Sequence, residues 1–358
     1  MSVSRPDPRS YRPVIRTWLL IVAALVFAVA AVGGGTRLTG SGLSIVEWRP
    51  VAGVLPPLSD AGWRAEFEKY KTIPQYRELN RGMSLDEFKV IYWWEWTHRL
   101  LGRLIGVAFL VPLLFFLWKG WIERGLRARL WTIFVLGAVQ GAVGWWMVAS
   151  GLAERLSVSQ YRLAFHLTLA CVIFAMILWT AQQLKARDPV EASARARWGA
   201  TTLVVLVLAQ IYLGALVAGR RAGLTYNTWP LIDGAFIPEA TRLFFEQPWW
   251  RNLFENPLMV QFNHRMVAYV LWVVALIHAV DVVRKVDHPN AVFGALLLAS
   301  AVTVQAGLGI WTLISSVPLA MALGHQSMAV IVLTIAVVHA EQISRRKPAG
   351  RSFAPTTP

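Results

Sequence analysis

Within nine residues, Glu95-Trp-Thr-His98-Arg99-Leu-Leu-Gly102-Arg103 sets a carboxylate, an imidazole and two guanidiniums at the start of a long apolar run. Such groups are costly in hydrocarbon, so inside an apolar segment they mark a site. A related cluster, Asn263-His264-Arg265-Met-Val-Ala268, appears in the second half, and His166 and His325 open two further apolar runs in the same way. Imidazoles placed like this can ligate a metal ion or clamp a flat metal complex from both sides. A carboxylate nearby can accept or relay a proton, or stabilise positive charge on a substrate. Glu95 lies three residues before His98 and four before Arg99, so one side of a helix can carry all three.

These residues need elements that hold them at one depth. Of the 358 residues 56% are hydrophobic and only 15% charged, far more apolar than a soluble domain of this size. Apolar runs occur near 15–35, 90–118, 129–149, 161–184, 198–218, 259–282, 291–313 and 318–340. Each reaches the roughly 20 residues that cross a bilayer. The fold class is therefore an all-α integral membrane protein with eight transmembrane helices, and an even number of spans puts both termini on one side.

The net charge of +15 reads as topology, not nucleic-acid binding. Eighteen of the 35 basic residues fall in 5–16, 119–129, 185–197, 284–285 and 345–351, all on one face of an eight-span chain. Basic loops stay in the cytoplasm, so both termini are expected there. The N-terminal tail is too short and proline-rich for a transit peptide, and a bacterial inner membrane is the simplest address. The single cysteine, Cys171, excludes an intramolecular disulfide and a soft-metal cysteine site.

Along the chain, the first span is expected to end at Gly33-Gly34-Gly35, whose glycines permit sharp turns and close approach of a flat ligand. A long outer loop, 36–89, is broken by Pro56-Pro57 and contains a short amphipathic helix near 63–70. Ser84-Leu-Asp-Glu87 is a capping box that starts the second helix in water, ahead of the membrane. Tyr92, Trp93, Trp94 and Trp96 then form an interfacial belt.

The halves read as a duplication. Gln140-Gly-Ala-Val-Gly144 parallels Gln305-Ala-Gly-Leu-Gly309, His98 parallels His264, and His166 parallels His325. Two pseudo-symmetric four-helix bundles follow, 1–190 and 191–358, with cofactor sites in their interiors. Helices two, four, six and eight run the same way, so their histidines share one depth, two per half. Two facing imidazoles can hold an iron porphyrin, and each histidine has a small residue at i+4, Gly102, Ala170, Ala268 or Ala329, leaving a gap for a flat ring. A zinc or copper site would need more ligands at one point. Arg99, Arg103 and Arg265 are candidates to pair with haem propionates, snorkelling to headgroups being the plainer account. The halves differ at Glu95, whose counterpart before His264 is Gln261, so one haem is expected to react while the other serves as a redox cofactor.

These residues resemble the haem A synthase family over nearly the whole chain. The motifs that carry the resemblance are Gly34-Gly-Thr-Arg-Leu-Thr-Gly-Ser-Gly-Leu-Ser, Pro56-Pro57 with Glu66-Phe-Glu-Lys-Tyr-Lys71, and the run from Glu87 to Arg103. Further on they are Ala222-Gly-Leu-Thr-Tyr-Asn-Thr-Trp-Pro-Leu231, Phe262-Asn-His-Arg265, Gln305-Ala-Gly-Leu-Gly-Ile-Trp-Thr-Leu313 and His325-Gln326. The resemblance implies an enzyme of terminal-oxidase assembly that oxidises the C8 methyl of haem O to the formyl of haem A by successive hydroxylations. It implies a haem b cofactor on His264 and His325, substrate haem between His98 and His166, and Glu95 as the carboxylate needed for activity. Haem O synthase in the same membrane would donate the substrate, the electron donor is unidentified, and a homo-oligomer stays open. Some members carry a cysteine pair in each outer loop; this chain has none and is similar to the cysteine-free proteobacterial and mitochondrial branch.

Two alternatives use the same residues. His278 and His339 each lie 14 residues beyond a ligand, about 21 Å deeper on a helix, as in a di-haem b-type electron-transfer cytochrome. A non-enzymatic haem carrier or assembly factor would use the four histidines without needing Glu95.

Overall fold

The computed structural model describes residues 7–50 and 52–345, and every regular element among them is helical. Among the described residues eight helices are long and apolar enough to span a bilayer, and the chain is a multi-pass membrane protein. They are α1 (Arg12–Leu38), α2 (Leu85–Trp118), α3 (Arg124–Ala149), α4 (Gln160–Gln183), α5 (Ala194–Gly219), α6 (Pro257–Lys285), α7 (Pro289–Ile314) and α8 (Leu319–Ser344). Of the basic residues that set the expected topology, Arg5, Arg346, Lys347 and Arg351 lie outside the described residues.

Local chemistry sets the helix starts. Ser84 Oγ accepts from the Glu87 N–H while the Glu87 carboxylate accepts from the Ser84 N–H, so α2 begins well before its apolar run. Asn256 caps α6 through the N–H groups of Leu258 and Met259, with Pro257 at the first helical position. One expectation fails: α1 does not end at its three glycines but continues to Leu38. Each of those glycines instead faces a side chain from another helix: Gly33 meets His98, Gly34 meets Gln326 and Gly35 meets Trp94. Close packing, not a turn, is what they serve.

The helices form two rings. In the first, α1 packs on α2 and α4, and α3 packs on α4, while α2 and α3 touch sparsely. In the second, α5 packs on α6 and α8, and α7 packs closely on both α6 and α8. The rings meet along α4–α8, flanked by α1–α8 and α4–α5, which exchange when the halves are exchanged. One apolar core runs through both rings.

Lipid tails give apolar helices no reason to associate, so small residues and interhelical hydrogen bonds hold such bundles. A Cβ on Gly219 would lie 2.7 Å from the Gln160 Cβ, so α4 and α5 cross there only because residue 219 is glycine. Trp18 Nε1 donates to the Ala108 carbonyl at 2.8 Å and ties α1 to α2.

Both long connections, 39–84 and 220–256, lie at one end of the bundle, here the loop end; the basic connections lie at the other. The first is a folded cap with helices Asp60–Lys71 and Pro74–Leu79. Phe67, Tyr70, Phe88 and Tyr92 pack as its core. Burying aromatic side chains such as Tyr70 and Phe88 contributes about 2–3 kcal/mol each. Burial raises the Tyr70 phenol, which stays protonated and donates to Gln75 Oε1 at 3.0 Å; Gln75 in turn donates to the Gly40 carbonyl and anchors the cap over α1.

Candidate functional site

Four histidines sit near the loop end in one repeated setting. Each rests against a glycine of the preceding helix: His98 of α2 on Gly33, His166 of α4 on Gly144, His264 of α6 on Gly214, and His325 of α8 on Gly309. A Cβ at those glycines would come within 2.8, 3.0, 3.1 and 2.7 Å of the rings, too close at Gly33 and Gly309 and tight at Gly144 and Gly214. Within each half the two imidazoles are near enough to feel one another's charge. None of the four residues is fully buried. On Gly102, one turn from His98, a Cβ would meet nothing within 4 Å, so α2 leaves open space there.

Three of the four histidines are braced by glutamine. Gln140 Nε2 donates to the His166 carbonyl at 2.9 Å, Gln210 Nε2 to that of His264 at 3.0 Å, and Gln305 Nε2 to that of His325 at 2.9 Å. Each glutamine stands four residues before the contact glycine, so one face of the preceding helix supplies brace and gap together. An interhelical bond of this kind contributes about 0.6 kcal/mol. Sequence reasoning noticed the Gln140 and Gln305 motifs as signs of duplication and missed Gln210, which shares the glutamine-to-glycine spacing.

Glu95 is buried and receives four hydrogen bonds. Oε2 accepts from Ser44 Oγ at 2.7 Å and the Ile45 N–H at 2.8 Å; Oε1 accepts from Arg99 Nε at 3.1 Å and Nη2 at 2.6 Å. Arg99 also donates to the Ile45 and Glu47 carbonyls, and Arg103 to those of Arg49 and Pro50. Glu95 and Arg99 thus pin the segment after α1 on to α2. Gln261 and Arg265 do the same for the segment after α5. Gln261 Nε2 donates to the Ala222 and Tyr226 carbonyls, and its Oε1 accepts from Arg265 Nη2 at 2.8 Å.

Most of the guanidinium nitrogens proposed for propionates are therefore used on backbone carbonyls. Arg103 Nη1 and Arg265 Nε remain buried and, among the described residues, without a partner. Leaving such a donor unmet costs about 1–3 kcal/mol, so an anionic group is chemically suited to both positions. Arg37 at the end of α1 and Arg221 just after α5, neither singled out from sequence, lie near enough to repel one another.

The second histidine level is different. His278 and His339 are buried with Nε2 atoms 2.8 Å apart and rings at 72°, each against a glycine, Gly199 or Gly294. One imidazole donates directly to the other, which leaves no width for a porphyrin between them. Among the described residues no three His, Cys, Asp or Glu side chains converge as a metal site. Two imidazoles in each half at the loop end, with glycine beside each ring and the spare donors of Arg103 and Arg265, make a donor set that suits a haem in each half.

Comparison with known proteins covers nearly the whole chain. A protein named heme A synthase from Rhodopseudomonas palustris (strain BisB5) is 60% identical over 340 residues, covering 95% of this chain and 93% of the relative. One of the same name from Bradyrhizobium diazoefficiens is 60% identical over 348 residues, covering 97% and 96%. Residues 16–337, from the first turns of α1 to within a turn or two of the end of α8, match the COX15-CtaA family model, described as cytochrome oxidase assembly protein, and it is to this family that the chain belongs.

Proposed function

We propose that the chain carries out the reaction for which these relatives are named. It is an oxidoreductase that converts the C8 methyl group of haem O to the formyl group of haem A through two hydroxylations and loss of water. Haem O is the substrate, held between His98 and His166 in the first bundle, residues 1–190. His264 and His325 in the second bundle, residues 191–358, hold haem b, which supplies a one-electron redox centre when bound. The observation that carries the reading is the repeated histidine-on-glycine setting, in which one copy alone has a buried carboxylate one turn from its ligand.

Glu95 is the residue that moves the proton. Its Oε1 is committed to Arg99, so Oε2 is the atom that can take one. Ser44 makes this feasible, because its hydroxyl can turn from Glu95 to the Ile91 carbonyl, 3.3 Å away, and receive the new proton on its own oxygen. Arg99 keeps its bonds and holds the carboxylate in place throughout. The spare nitrogens of Arg103 and Arg265 are suited to propionates, one in each half.

The basic end faces the cytoplasm of a bacterial cell, placing the haem sites near the outer surface of the inner membrane. Haem O synthase in the same membrane supplies the substrate. A di-haem cytochrome finds no support in the His278–His339 contact, which is closed. The test is pigment extraction and chromatography of purified protein from cells that make haem O, for wild type and Glu95→Ala. Haem A in the wild type, with haem O or a hydroxylated intermediate in the variant, is the expected result. Haem b alone and in equal amount in both would overturn the assignment.

A further inference from the structure

We infer that His98 is the exchangeable ligand of the first bundle: the imidazole that leaves the iron when the substrate haem enters and departs, while His166 keeps its hold. The inference rests on the reading that both halves bind haem, and goes beyond it by assigning unequal work to the two imidazoles of one site.

The first observation is the missing brace. His166, His264 and His325 each have a glutamine of the preceding helix donating to their backbone carbonyl, four residues before the glycine on which the ring rests. On α1 the glycine is Gly33, and four residues before it stands Val29, whose side chain has no donor. The turn of α2 that carries His98 is therefore not tied to α1 by a side chain as its three counterparts are. The nearest ties lie at Thr36 Oγ1 to the Trp94 carbonyl, 3.1 Å, and at Trp18 to Ala108.

A second observation concerns the other flank. In the second bundle Trp272 Nε1 donates to Thr303 Oγ1 at 3.0 Å and staples α6 to α7. At the offsets that relate His98 to His264 and Gln140 to Gln305, the corresponding residues are Gly106 and Ala138, which can make no such bond. In keeping with this, α2 and α3 touch sparsely where α6 and α7 pack closely. His166, by contrast, is carried by α4, which is packed against α1, α3, α5 and α8.

His98 therefore lacks the glutamine brace on one flank and the staple on the other, and the bonds that Glu95 and Arg99 make from its turn run to the segment after α1, not to α1 itself. A ligand that must let a large substrate pass needs such latitude.

Carbon monoxide is the probe, because it binds ferrous haem only where an axial imidazole gives way. Purified full-length protein from cells making haem O is reduced with dithionite and mixed with carbon monoxide, for wild type, Val29→Gln, His98→Ala and His166→Ala, with haem content measured for each. The expected result is a carbon monoxide adduct in wild type that is lost in His166→Ala together with the first-bundle haem. His98→Ala keeps that haem and binds carbon monoxide faster, and Val29→Gln, with the brace restored, binds it several-fold more slowly. Should Val29→Gln fail to fold, the two histidine variants decide: equal loss of haem from both, or an undiminished adduct in His166→Ala, would overturn the inference. Wild-type protein with no haem in either half would instead overturn the functional reading beneath it.

Discussion

Gln326, the residue after His325 of α8, donates from Nε2 to the Ala30 carbonyl of α1 at 2.8 Å, and a Cβ on Gly34 would lie 2.5 Å from the same amide. Gly33, the adjacent residue, is the one on which His98 rests. The histidines of the two halves are therefore joined through two consecutive glycines of α1 and one glutamine. On the proposed function, electrons from a haem in the second half must reach the first, and this is a compact protein route.

Replacing Gln326 by leucine should leave both haems bound, since the Gln305 brace on His325 is untouched, while the α1–α8 tie is removed at a cost of about 0.6–1.7 kcal/mol. The expected result is a lower ratio of haem A to haem O in extracted pigment at unchanged total haem. Rapid-mixing reduction should show the first-bundle haem lagging the second. An unaltered pigment ratio in Gln326→Leu would place the crossing elsewhere.

Glu95 and Gln261 anchor equivalent segments with opposite polarity. Glu95 accepts from an N–H and a hydroxyl, whereas Gln261 donates to two carbonyls. The residues are therefore not interchangeable. Gln261→Glu would turn a carboxylate oxygen towards the Ala222 and Tyr226 carbonyls, losing two hydrogen bonds and adding repulsion, at a cost on the order of 2–4 kcal/mol. Loosening of the segment after α5, with loss of haem b and enhanced proteolysis within 220–231, is the expected outcome. Full retention of haem b would show that this segment does not cover the cofactor.

The eight spans were legible because their apolar runs are long, the four histidines drew notice because polar residues stand out within such runs, and a helix start such as that of α2 is marked by its cap, Ser84. What the glycines of α1 do was not legible. A glycine near a helix end reads equally as a terminator or as a contact point, and only the positions of His98, Trp94 and Gln326 on other helices decide between them. The arginine partners were hidden for a related reason: Arg99, Arg103 and Arg265 bind backbone carbonyls, and the path of a loop leaves no periodic trace in side-chain type. His278 and His339 illustrate the converse. Their spacing suggested a second haem level, yet the crossing of α6 and α8 brings the rings into direct contact.

At the basic end, Arg12 Nε and Nη2 donate to Glu123 Oε1 and Oε2 at 2.6 and 2.8 Å, tying the start of α1 to the connection before α3. The hydrogen bonds from Arg12 hold the Glu123 carboxyl below its ordinary range, against a smaller opposing effect of burial. A carboxyl whose folded value is depressed contributes its stability in full above the unfolded value, about 4.3, and loses it as pH falls through the lower folded value. The pair is partly exposed, so its contribution is on the order of 0–1 kcal/mol even with two-point geometry. Glu123→Gln should therefore melt slightly below wild type in detergent at pH 6–8, with the gap constant across that range and closing below roughly pH 4. A gap that instead closes between pH 6 and 8 would point to a histidine, not Glu123, as the group that holds α1 to this end of the bundle.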